Sequence, residues 1–222
     1  MSLIRNEIDA WIFDLDNTLY PAGSDLFPQI SARMGRFIAD RFGLGDEAAR
    51  VLQKQLFRSH GTTMRGLMVE HGVDPKLFMD FVHDIDLSGL EPAVALAAAL
   101  AALPGRKFVF TNGSRWHADR VLRHLGLAEH MTGVFDIADA EFIPKPHPAG
   151  YRTLIERFAI EPKRAVMVED MARNLAPAAA LGMVTVLVHN DSDWALDGAE
   201  GDWVQHRTDD LAGWLAALPA GI

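Results

Sequence analysis

Four short runs of the chain are apolar without alternation: Ala10-Trp11-Ile12-Phe13, Lys107-Phe108-Val109-Phe110-Thr111, Ala165-Val166-Met167-Val168 and Val184-Thr185-Val186-Leu187-Val188. A strand with one wet face alternates apolar and polar residues, whereas a strand covered on both faces has no reason to. Each run therefore predicts a buried strand, with Val134-Phe135-Asp136 a weaker fifth. Helical patterns separate them, over residues 92–103, 114–125, 147–158 and 172–181, with a terminal helix at 209–218. Ser114 is placed to cap the second of these, and Gly126 and Gly182 stand where helix C-caps belong. Buried strands alternating with helices of this length make βαβ units, which pair as a parallel sheet with helices on both faces. The expected fold class is α/β.

Residues 20–88 break that rhythm. They carry helical periodicity and no convincing strand, and read as four helices over 29–42, 46–60, 62–71 and 75–84. Gly43, Gly61 and Gly72 divide them, Asp46 and Asp74 are placed as caps, and Pro75 suits a first helical turn. Phe37, Phe42, Phe57, Met68, Phe78 and Phe81 fall at helical spacing and are expected to build this segment's own core. With 88–92 as a return linker, the expected organisation is an α/β core from 1–19 and 89–222, with a helical subdomain, 20–88, inserted after the first strand. A length of 222 residues fits one core with one insert.

Composition narrows the function. Lys plus Arg is 21 and Asp plus Glu is 30, a net charge of −9, which is a poor basis for gripping a nucleic-acid backbone but leaves room for one small phosphate. With 49% hydrophobic and 23% charged residues the chain is expected to be globular rather than disordered. The absence of cysteine excludes disulfides, cysteine-ligated zinc, iron–sulfur clusters and thiol nucleophiles, and fits a cytoplasmic location. The first sixteen residues carry charges throughout and lack a signal-peptide core, and the longest greasy stretch, 92–103, is too short to span a bilayer. No membrane partner is expected. Trp194, Trp203 and Trp214 are expected to pack or to sit at the rim, and 191–202 to form a loop.

The chemistry sits at the strand ends. In an open parallel sheet, ligands bind beyond the carboxyl ends of the strands. There this chain places Asp14-Leu15-Asp16-Asn17-Thr18, Thr111-Asn112-Gly113 and Glu169-Asp170, with Lys145 between two prolines in the preceding stretch. Carboxylates gathered this closely repel unless a cation neutralises them, and an all-oxygen set favours a hard ion such as Mg²⁺. Lys145 would offset further charge, and Thr111 with the amides of Asn112 and Gly113 could hold phosphoryl oxygens. That is a site for phosphoryl transfer. The plainer alternatives are a pair of turn aspartates, a solvated lysine, a strand-end threonine, and Asp170 as the cap of the helix that starts at Ala172.

These residues, in this order, resemble the haloacid dehalogenase superfamily. Its DxDx[TV] motif stands here as Asp14-Leu15-Asp16-Asn17-Thr18, followed by Thr111, Lys145 and the acidic pair Glu169-Asp170. The resemblance implies a Rossmann-like core with an inserted α-helical cap. It makes Asp14 the nucleophile that forms an aspartyl-phosphate, and Asp16 the acid for the leaving oxygen and then the base for water. Mg²⁺ would be held by the Asp14 carboxylate, the Asp16 carbonyl and Asp170, with Glu169 acting through water or from behind these ligands. Asn174, read from its place alone, is expected either to steady the metal site or to sit on an exposed helix face. Asp16 itself argues for a phosphatase, because the dehalogenases of this superfamily lack an aspartate there. The insert is similar to the cap of the pyrimidine 5′-nucleotidase branch: Leu19-Tyr20-Pro21, Gly61-Thr62-Thr63-Met64-Arg65-Gly66-Leu67 and Phe81-Val82-His83-Asp84, with Thr111-Asn112-Gly113-Ser114 and His117 in the core. Glu169, where that branch has aspartate, and Met64, where it has a smaller or aliphatic residue, depart from the pattern. The substrate so implied is a pyrimidine nucleoside 5′-monophosphate, with Tyr20, Arg65 and His83 as contacts from the cap. A phosphatase of sugar phosphates or other small esters, and a regulatory binding protein that kept the fold, are the alternatives.

Overall fold

A computed structural model describes residues 7–190, 192 and 195–219. Six strands form one sheet: β1 (Ala10–Phe13), β2 (Arg106–Phe110), β3 (Gly133–Phe135), β4 (Ala165–Glu169), β5 (Val184–Val188) and β6 (His206–Thr208). Their order is β3-β2-β1-β4-β5-β6, and every pair is parallel. The runs without alternation are buried as expected, because alternate residues serve two different cores. Trp11, Phe13, Val109, Val166 and Val168 point into one, under α5 (Val94–Ala102), α6 (Arg115–Leu125) and α9 (Leu211–Ala217). Ala10, Ile12, Phe108, Phe110 and Met167 point into the other, under α7 (Pro148–Phe158) and α8 (Ala172–Ala180). The chain is a Rossmann-like α/β fold. Among the described residues no helix is long and apolar enough to cross a membrane.

Between β1 and α5 the chain forms four helices: α1 (Leu26–Phe42), α2 (Asp46–His60), α3 (Thr63–His71) and α4 (Pro75–Val82). They share a core of Phe37, Ile38, Leu56, Leu67, Phe78 and Val82, joined by Ile137 from the α/β part. Gly43 and Gly72 end α1 and α3 in the left-handed conformation, as C-cap glycines do. Asp74 caps α4 by accepting a bond from the Lys76 amide, and Ser114 caps α6 by accepting from His117. Asp46 is not a cap. Gly45 takes that position, and Asp46 lies in the first turn of α2, where its charge still complements the helix dipole. Gly182 is not the C-cap of α8, a place taken by Leu181, although Gly182 follows it at positive φ. Phe57 faces the central cavity rather than the helical core. Trp203 packs on the α7–α8 side and donates to the Ala172 carbonyl, and Trp214 packs on the α5–α9 side. Trp194 lies outside the described residues, as do Asp191 and Asp193 of the expected 191–202 loop.

The α2–α3 contact depends on a missing side chain. A Cβ at Gly66 would lie 2.7 Å from Leu56 Cβ and 2.8 Å from Leu56 Cδ2. Leu56 is fully buried, and its Cβ cannot move without its backbone. Alanine is the better helix former by about 1 kcal/mol, but overpacking costs about 1–3 kcal/mol. With backbone-anchored Leu56 Cβ at 2.7 Å the overpacking falls at the upper end of that range, so Gly66→Ala is expected to lower stability by about 2 kcal/mol in urea denaturation. A variant as stable as the parent would show that the two helices separate at little cost.

Candidate active site

The strand order decides which residues meet. β1 lies between β2 and β4, where the direction of winding reverses, and this switch point is where open parallel sheets bind ligands. Asp14 follows β1, Thr111 follows β2, and Glu169-Asp170 end β4, so three separate stretches arrive at one edge. Lys145, from the connection between β3 and α7, reaches into the same place. Its ammonium lies 2.6 Å from Asp14 Oδ1, 2.7 Å from Glu169 Oε2 and 2.8 Å from the Phe110 carbonyl oxygen. One oxygen each from Asp14, Glu169 and Asp170 lies within 4.8 Å of the others, and all three residues are buried.

Three carboxylates against one ammonium leave two uncompensated negative charges when all are ionised. The proton affinities register the strain. Burial, with the Glu169 charge, pushes the Asp14 carboxyl up to about 7, against the pull of Lys145. Burial and the charges of Glu169 and Asp14 push Asp170 well above the carboxylate range. Burial would lower Lys145, but Asp14 and Glu169 outweigh it and raise its affinity for the proton. Asn174, 2% exposed, adds a buried side-chain oxygen with no partner. A divalent cation would cancel the excess charge, and hard oxygen donors suit Mg²⁺, so the donor set fits that ion.

Asp16 stands apart from this cluster. Its Oδ1 accepts two hydrogen bonds, 2.6 Å from the Tyr20 hydroxyl and 2.7 Å from His117 Nε2. Burial alone would raise its pKa, but the charge and hydrogen bond of His117, with the Tyr20 hydroxyl, bring it down to about 2. His83, from the end of α4, stacks on His117 with ring centroids 4.4 Å apart and planes 11° from parallel. Its Nδ1 meets Ser114 Oγ at 2.9 Å, and burial, with the nearby His117, lowers its pKa well below the ordinary histidine value. Two aspartates one residue apart are thus set in opposite surroundings, one against an ammonium and two carboxylates, the other against an imidazole and a phenol.

A cavity of about 310 Å³ opens over these groups. Asp14, Asp16, Thr111, Asn112, Gly113, Lys145, Glu169, Asp170 and Asn174 line its floor, and His83 joins them from the helical layer. Met34, Phe57, Met64 and Met79 give the opposite wall an apolar surface, with Ser31, Gln53, Lys54, Thr62 and Thr63 as polar members. Tyr20 does not line the cavity and acts on it only through Asp16. Arg65 does not line it either; its backbone amide bonds to the α3 cap, Thr62. The Gly113 amide donates to Thr111 Oγ1 at 2.9 Å. Asn112 uses its side chain as a clamp, accepting from the Lys145 amide at 2.8 Å and donating to the Lys145 carbonyl at 3.4 Å. Asp170 does not cap α8, which starts after Met171 without a side-chain cap. Its Oδ2 accepts from Asn190 Nδ2 at 2.7 Å. Sequence reasoning misses Asn190 altogether, reads Ser114 only as a helix cap, and reads His83 as a substrate contact rather than as a ring stacked on His117 and held by Ser114.

Carboxylates are massed at the switch point of the parallel sheet, and no glycine-rich dinucleotide loop follows β1. The chain belongs to the haloacid dehalogenase-like hydrolase family, whose description matches residues 8–182. It is 43% identical over 221 aligned positions to the Enolase-phosphatase E1 of Frankia alni, covering 85% of this chain and 89% of that protein. It is 27% identical over 197 positions to the Phosphate metabolism protein 8 of Saccharomyces cerevisiae, covering 80% of this chain but only 60% of that longer protein. Among solved structures, a HAD phosphatase from Thermococcus onnurineus superposes with a TM-score of 0.65 at 16% identity, over 96% of this chain and all of that one. A 2-haloacid dehalogenase from Pseudomonas syringae superposes with a TM-score of 0.56 at 20% identity, over 95% and 98%. At such identities the two structures share the fold.

Proposed function

We propose that this chain is a Mg²⁺-dependent phosphomonoesterase that works through an aspartyl-phosphate on Asp14. The observation that carries this reading is the contrasting environment of Asp14 and Asp16, which suits two carboxylates with two tasks. Asp14, Asp170 and the Asp16 carbonyl would hold Mg²⁺, with Glu169 and Asn174 behind them; the ion supplies charge neutralisation at the phosphoryl group. Lys145 holds Asp14 Oδ1, leaving the carboxylate's second oxygen, steadied by Thr18, for attack on phosphorus. Thr111 and the Asn112 amide receive phosphoryl oxygens, whereas the Gly113 amide is already spent on Thr111 Oγ1. Asp16 is ionised in the free protein, so the proton that it passes to the leaving oxygen arrives with the substrate's phosphate monoanion. Once the alcohol has left, the same carboxylate is ready to take a proton from water. The helical segment 20–88 acts as a cap that closes over the site and excludes bulk water.

The leaving group is chosen by the cap wall. An apolar surface of Met34, Phe57, Met64 and Met79, with Gln53, Lys54 and His83 at its edges, suits a flat ring that carries hydrogen-bonding groups on its rim. That supports a pyrimidine nucleoside 5′-monophosphate as the substrate, and the absence of cysteine fits a cytoplasmic enzyme. The 43% identity to an enolase-phosphatase favours a second reading, a phosphatase of sugar phosphates or other small phosphate esters. Phosphate release from UMP, CMP, AMP, GMP, a hexose phosphate and 4-nitrophenyl phosphate, with Mg²⁺ and with chelator, tests both. UMP or CMP is expected to exceed the purine nucleotides by about tenfold or more in kcat/KM, the range that one well-matched pocket supplies. A flat profile would defeat the pyrimidine assignment. No Mg²⁺-dependent release from any ester, or dechlorination of 2-chloropropionate instead, would defeat the phosphatase.

A further inference from the structure

His117 has a feature that packing does not explain. Its side chain is fully buried on the first turn of α6, yet its Nδ1 has no hydrogen-bond partner. Buried polar atoms in native proteins are nearly always paired, and an unpaired one costs about 1–3 kcal/mol. The ring accepts that cost in an orientation that aims Nε2 at Asp16 Oδ1, 2.7 Å away. Tyr20 donates to the same oxygen from the other side, at 2.6 Å. Two donors converging on Oδ1 fix the carboxylate's rotation, so its second oxygen, Oδ2, is the one presented elsewhere. A Cβ on Gly113 would sit 3.6 Å from Oδ2 and 3.4 Å from His117 Cδ2. The missing side chain leaves that approach open.

The orientation of His117 is fixed in turn. His83 lies flat against it, and His83 is held by Ser114 Oγ at Nδ1. Arg120 anchors the same stretch of backbone, donating to the His83 carbonyl at 3.0 Å and the Ile85 carbonyl at 2.8 Å. The layer that holds Asp16 is thus built half from α6 and half from the segments that enter and leave the helical insert.

We infer that His117 is a positioning residue for Asp16: with Tyr20 it pins Oδ1, so that Oδ2 faces the leaving-group oxygen. The inference rests on the reading of Asp16 as the acid in phosphate-ester cleavage. Protonation of the leaving oxygen matters for a poor leaving group such as an alkoxide and hardly at all for a good one such as 4-nitrophenolate. Loss of the positioning bond is therefore selective, whereas general damage to the site is not. The ratio kcat/KM isolates this step, because it covers events only up to departure of the alcohol.

The experiment compares kcat/KM of the full chain with Mg²⁺ for glycerol 1-phosphate and 4-nitrophenyl phosphate. His117→Asn, whose amide falls short of Oδ1, is expected to lose about 100-fold on the alkyl ester and about threefold on the aryl ester, within the range of general acid catalysis. His117→Gln, which can place an amide near the Nε2 position, is expected to recover most of the alkyl activity. Tyr20→Phe removes one hydroxyl from the same carboxylate and is expected to lose about tenfold, with the same selectivity. It carries the test if His117→Asn fails to fold by circular dichroism. Equal losses on both esters, or no loss on the alkyl ester, overturn the inference. A parent protein without Mg²⁺-dependent turnover overturns instead the phosphatase reading beneath it.

Discussion

Asparagine in place of Asp14 is expected to lower phosphate-ester turnover about ten-thousand-fold or more, the scale seen when a covalent nucleophile is removed. The same variant is expected to melt no lower than the parent protein when Mg²⁺ is chelated at pH 8. The two expectations come from one carboxylate. An amide cannot attack phosphorus, but it has nearly the same shape. Its oxygen still accepts from Lys145, and Thr18 can turn its hydroxyl to accept from the new NH₂ group. For stability the sign follows from the raised pKa. Burial and Glu169 push Asp14 up to about 7, so the folded state holds its proton more tightly than the unfolded chain does. The contribution is full below the ordinary carboxylate value and is lost as the pH rises toward about 7. Asparagine has no such loss, so its advantage over the parent grows between pH 5 and pH 8. Activity assays and thermal denaturation in chelator at both pH values read the two effects. Activity within tenfold of the parent would exclude Asp14 as the nucleophile, and a deficit in melting temperature that widens with pH would remove the charge-repulsion account of this cluster.

The acidic cluster was legible because a parallel sheet delivers strand ends to one edge whatever the loops do. Asp14, Thr111 and Glu169 each end an apolar run, and the runs β1 and β5 have the bounds that the pattern predicts. Strand β6, His206–Thr208, escaped because it is a short edge strand with one paired side and no apolar run. Helix α1 starts at Leu26, ahead of the expected 29, because Pro28 is tolerated in a first turn. The second half of the site was harder to read. Asp16 and His117 are 101 residues apart and meet only once α6 turns back over the strand end. One signal was available. A helix that leaves the active edge of a sheet must place its first turn over that edge, and His117 stands three residues after the cap Ser114. Asn112 is instructive in another way. Its type and position suit a phosphate loop, but its side chain is used on the backbone of Lys145, a pairing that no local pattern encodes. Arg65 suits a substrate contact by motif alone, and the fold keeps it out of the cavity, with its backbone amide on Thr62.

Methionine in place of Lys145 is expected to cost about 3 kcal/mol of stability in chelator at pH 8, and to lower turnover about a thousandfold. The lysine side chain is 1% exposed and touches two carboxylates that are themselves nearly inaccessible. Replacing it keeps the apolar volume against the Phe110 ring, 5.1 Å from the ammonium, but leaves Asp14, Glu169 and Asp170 with no cation between them. Removing one partner of a buried ion pair costs about 3–5 kcal/mol, because the remaining charge has neither water nor counterion. Relief comes from protons. Asp14 and Asp170 already have raised affinities, so at pH 5 they take up protons in the folded state, and the penalty of the variant shrinks. Mg²⁺ should relieve it as well, since it supplies the missing positive charge at the same oxygens. Yet it cannot replace the lysine's grip on Asp14 Oδ1, so stability returns with Mg²⁺ while activity does not. A lost donor at a charge-stabilising site costs about 10²–10³ in rate, and the loss of the nucleophile's orientation falls on top of it. Urea denaturation at pH 5 and pH 8, with and without Mg²⁺, separates these effects. A variant whose stability is independent of pH and of Mg²⁺ would mean that the three carboxylates are not neutralised as one group, and activity restored by Mg²⁺ alone would show that Lys145 serves only to balance charge.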